Sequence, residues 1–121
     1  MYGQSAATAY QTMAKKATTP RELEAEILTK AANKFYQIAN NWDAEKKTLR
    51  DALQYNQKLW TIFVSNATDP ECDLPLALRN NVANLGVFVF KRTAQLMATP
   101  DRNDLQILIT INRELAAGLR S

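Results

Sequence analysis

Residues 75–98, PLALRNNVANLGVFVFKRTAQLMA, decide the fold class. Their apolar side chains recur at helical spacing in two series. Leu78, Val82, Leu85, Val89 and Leu96 make one stripe; Leu76, Ala83, Val87, Phe90, Ala94 and Met97 make a second, well round the helix from the first. The polar remainder, Asn80, Asn81, Asn84, Lys91, Arg92 and Gln95, fills a narrow sector. A helix apolar over more than half its circumference is central in a bundle or offers a face to a partner.

Working outward, residues 104–119 read as a similar helix. Leu105, Leu108, Ile109, Asn112, Leu115, Ala116 and Leu119 form its main face, and Ile107 and Ile111 widen it. The short link before it favours antiparallel packing against the helix over 75–98. Upstream, residues 44–67 carry the stripe Leu49, Ala52, Leu53, Asn56, Leu59, Trp60 and Phe63, with Asp43 as the expected cap. Residues 20–41 have the clearest start. Thr19-Pro20-Arg21-Glu22 supplies an N-cap, a first-turn proline and the glutamate of a capping box. Residues 3–16 form the weakest helix, its stripe made mostly of small residues, which suits a lid over an apolar face. The reading is an all-α, single-domain bundle of four to five helices over residues 1–121, with antiparallel short-loop connections.

Composition narrows the chemistry. The chain has no histidine and one cysteine, so Ser-His-Asp and Cys-His arrangements, histidine-bearing zinc sites and an internal disulfide are ruled out. Cys72 lies between Glu71 and Asp73, whose charges disfavour a thiolate. The acidic loop at 69–73 lacks the alternating oxygens of a calcium loop, and no glycine-rich phosphate loop is present. No cofactor, metal or catalytic residue is expected. Nor is membrane insertion, because the longest apolar run is the six residues Leu85 to Phe90. A net charge of +3 is weak, and the basic groups Lys15-Lys16, Lys46-Lys47 with Arg50, and Lys91-Arg92 are scattered, so nucleic acid is not the expected partner. Asn56, Asn81, Asn84 and Asn112 sit on or beside apolar stripes; buried there, each needs a partner, the expected one being a neighbouring helix backbone and the alternative the backbone of a bound peptide.

Four stretches in order resemble the FlaF family of alphaproteobacterial flagellar biosynthesis regulators. They are TPRELEAE at 19–26, NQKLWTIF at 56–63, NVANLGVFVF at 81–90 following Leu74-Pro75 and Leu78-Arg79, and INRELAAGLR at 111–120. The resemblance implies a small cytoplasmic helical protein without enzymatic activity, needed for flagellin production. It acts on this reading as a chaperone that binds flagellin before export, or as a regulator of flagellin mRNA translation through RNA or the FlbT protein. The wheel supplies the expected contact residues: Leu76, Val87, Phe90 and Met97, with Ile107 and Ile111 beside them and Asn80 and Asn84 as a polar rim. The second stripe as a homodimer seam is the remaining alternative.

Overall fold

The computed structural model describes residues 19–121, which build four long helices packed antiparallel, with no strand among them. The helix expected over residues 3–16 lies outside the described residues. Helix α1 spans Pro20–Asn40, α2 Leu49–Ala67, α3 Leu76–Ala98 and α4 Leu105–Arg120.

Local chemistry sets the ends. The Thr19 hydroxyl accepts the Glu22 N–H at 3.1 Å, and Pro20 occupies the first turn of α1, where its missing N–H costs nothing. At the far end the Asn41 amide donates to the Gln37 carbonyl at 3.2 Å and the helix stops. The chain between α1 and α2 departs from the continuous helix expected from residue 44. It forms a one-turn helix, Trp42–Glu45, then a 3₁₀ turn, Lys46–Thr48. Asp43 therefore sits inside a turn and caps nothing. The reason is burial: neither turn contains a buried residue, so nothing holds this stretch on the α2 axis. The loop before α3 is tied by two local bonds, Thr68 Oγ1 donating to the Val64 carbonyl at 2.9 Å and the Glu71 N–H donating to Asp69 Oδ1 at 2.9 Å.

The helices associate as two intimate pairs, α1 with α4 and α2 with α3; contact between α3 and α4 is slight. The short α3–α4 link thus gives the expected antiparallel direction, but the main partner of α4 is α1. The core holds Trp60, Phe35, Ile27, Leu28, Ile38, Leu59, Leu108 and Ile109, all almost wholly buried. Each such side chain stabilises the fold by roughly 1.5–3 kcal/mol relative to exposure.

One polar chain crosses this core. Trp60 Nε1–H donates to Asn112 Oδ1 at 2.9 Å, and Asn112 Nδ2 donates to Asn56 Oδ1 at 2.7 Å. Asn56 and Asn112 are completely buried, so their partners are each other and the indole, not a helix backbone. The bonds fix α2 against α4 in register. One turn along α2 from Trp60, Gly86 of α3 lies so close that a methyl group there would collide with Val64 Cγ2.

Candidate functional site

Helix α3 buries Val82, Gly86, Val89, Thr93 and Leu96, a single stripe. Its contacts locate its neighbours. Gly86 sits against Val64 and Trp60 of α2. Arg92 forms an ion pair at 3.1 Å with Asp104, just before α4, and Gly118 of α4 lies beside Leu78. So α4 runs along the edge carrying Leu78, Leu85 and Arg92, while α2 covers the Gly86 side.

The second stripe of α3 lies beyond the α2 contact. Leu76 and Val87 are 62% and 57% exposed, the largest exposures among the big apolar side chains described. Phe90 and Met97, on the same stripe, are half-buried and pack against the core. Asn80 and Asn84 are exposed beside it. Asn81 is exposed as well. Ile107 is 37% exposed, but it belongs to α4, which meets a different edge of α3. Ile111 is buried in the core. The structure therefore gathers Leu76, Asn80, Asn84, Val87, Phe90 and Met97 on one helix flank and leaves Ile107 and Ile111 apart from them.

The electrostatics of this flank are one-sided. Between Leu76 and Ala98 there is no aspartate or glutamate; the charges are Arg79, Lys91 and Arg92. Arg92 is spoken for, its guanidinium lying 5.2 Å from the Phe88 ring centre as well as on Asp104. Arg79 falls on the second stripe between Leu76 and Ala83, a position that a search for apolar periodicity passes over. Three- and four-residue spacing alone, 76, 79, 83, 87, places it there.

A second concavity, of about 580 Å³, opens where α1 begins, beside the 68–75 loop. Thr19, Arg21, Glu24, Asp69, Glu71, Cys72 and Asp73 contribute to its lining. Burial pushes the Glu24 carboxyl above its usual range; the Arg21 charge opposes this less strongly, and Asp73 adds to it. Among the described residues no three His, Cys, Asp or Glu side chains converge as a metal site. No described helix is long and apolar enough to cross a membrane.

No curated protein and no solved structure matches the chain. The family model of the flagellar protein FlaF matches residues 6–119, taking in all four helices and the whole exposed flank of α3. That is a family of flagellar proteins and not of enzymes, with a role in flagellar biogenesis. Over nearly its entire length, then, this chain belongs to the FlaF flagellar protein family.

Proposed function

We propose that the chain is a cytoplasmic flagellin-binding protein that holds one amphipathic segment of newly made flagellin against the α3 flank until export, and so promotes flagellin synthesis and secretion. Membership of the FlaF family supplies the flagellar setting. The observation that carries the reading is the exposure of Leu76 and Val87 along a helix flank rimmed by asparagines. Flagellin's terminal segments are amphipathic and become ordered helices only in the filament. Before that they need an apolar surface, and a helix flank with spare aliphatic side chains supplies one.

Leu76 and Val87 are the side chains to change, because both project from the surface and neither is part of the core. Phe90 is a poorer choice, since it packs on the core and its loss also weakens the fold. Leu76→Asp and Val87→Asp, singly and together, leave the helical signal in circular dichroism intact. The double variant lowers affinity for purified flagellin by more than a hundredfold, from about 1.5–3 kcal/mol of lost burial at each site. A folded double variant that retains flagellin at wild-type affinity overturns the reading.

Translation control through RNA draws less support. Arg92 is engaged with Asp104 and Lys34 with Glu45, while Lys15 and Lys16 lie outside the described residues. Nothing observed favours FlbT over flagellin as the occupant of the α3 flank.

A further inference from the structure

We infer that the segment taken up by the α3 flank is an acidic amphipathic helix, with Arg79 as the side chain that receives its carboxylate. The inference rests on the docking face proposed above and adds the charge of what docks there.

Three observations carry it. First, α3 has only basic charges, and of these Arg92 is already paired while Arg79 and Lys91 have no ion-pair partner among the described residues. Second, Arg79 is half-buried, and its Nε is sealed from solvent with no acceptor in reach. A guanidinium does not lose its proton to escape such a position, so Arg79 keeps its full charge on the flank, with its Nε turned inward and unpaired like that of Arg92. The nearest carboxylates along the chain, Glu71 and Asp73, line the cleft beside Glu24 instead. Third, the lip of α2 that meets α3 at Val64 leads at heptad spacing through Gln57 to Arg50, towards the Met97 end of the antiparallel α3, and so adds a positive charge at that end of the flank. A basic partner helix is repelled by this arrangement. An acidic one buries its aliphatic side chains on Leu76 and Val87 while a glutamate or aspartate pairs with the charge of Arg79.

Two synthetic helical peptides with the same leucine stripe test this, one flanked by glutamates and one by lysines, titrated into the full chain by fluorescence anisotropy. The acidic peptide binds, and the basic one binds at least tenfold more weakly. Arg79→Gln lowers affinity for the acidic peptide about tenfold or more, Lys91→Gln lowers it less, and added salt weakens it in the wild type. The salt titration and the Lys91 variant stand even if Arg79→Gln disturbs the fold, which circular dichroism reports. Equal binding of the two peptides, binding of neither, or salt-insensitive binding unchanged in a folded Arg79→Gln protein overturns the inference. Purified flagellin, run in parallel, separates the two claims. If the acidic peptide binds as stated and flagellin does not, the flagellin reading falls and the charge assignment stands. If flagellin binds and responds to neither salt nor Arg79→Gln, the charge assignment falls and the flagellin reading stands.

Discussion

Glu24 holds its carboxyl where burial disfavours the charge, with Arg21 and Asp73 pulling in opposite directions beside it. Its pKa is raised in the folded state above the ordinary 4.5. In the unfolded chain the proton therefore leaves first as pH rises. Below the unfolded value both states are protonated and Glu24 imposes no penalty. Through the interval up to the raised folded value, stability falls, and above it the penalty is complete. Glu24→Gln keeps the shape and removes the charge. It raises the melting temperature at about pH 7, and the difference from wild type closes below about pH 4, as thermal scans across pH will record. The same scale shows how far sequence reaches. Asn56 and Asn112 stand out as amides on apolar stripes, and burial of both follows. That they bond each other and Trp60 does not follow, because the partners lie 52 and 56 positions apart in the chain and meet only once α2 and α4 are aligned.

Among the elements, α3 depends on a close crossing. Alanine at position 86 would gain about 1 kcal/mol of helix propensity over glycine. Its methyl would also strike Val64 Cγ2, and a β-branched side chain in a helix has little rotamer freedom with which to move away. Overpacking of this kind costs about 1–3 kcal/mol. Gly86→Ala therefore lowers stability by up to about 2 kcal/mol in urea denaturation, and adding Val64→Ala restores most of the loss. Helix starts were legible where the chemistry is local, as at Thr19-Pro20, since a hydroxyl and a proline act within one turn. The break between α1 and α2 was not. Asp43 has the composition of a cap, but the turns over Trp42–Glu45 and Lys46–Thr48 contain no fully buried residue, and that is a property of the assembled bundle. The candidate site divides likewise. Spacing alone groups Leu76, Val87, Phe90 and Met97, which lie on one helix. It cannot say where α4 turns Ile107 and Ile111, and Ile111 goes to the core.

For the whole molecule, the deciding fact is which helix answers which. A helical wheel shows that α3 and α4 each carry a broad apolar face, yet it cannot assign partners to them. Helix α4 spends its breadth on α1 and, through Asn112, on α2, whereas α3 leaves a flank open. Because α1 and α4 form the closest pair, neither stands without the other. Removing residues 105–121 uncovers Ile27, Leu28, Phe35 and Ile38 together. The shortened chain loses its cooperative thermal transition in calorimetry, and a sharp two-state melt from it would show that the α1–α4 pairing is dispensable.

That pairing also puts a delay into synthesis. Some 64 residues separate the end of α1 from the start of α4, and at about 5–20 residues per second a ribosome takes roughly 3–13 s to cross them. The α2–α3 hairpin is local and free to close early; α1 waits with its aliphatic stripe bare until the last helix emerges. For those seconds the nascent chain is itself prone to aggregate, and its shared core closes only when α4 has been made.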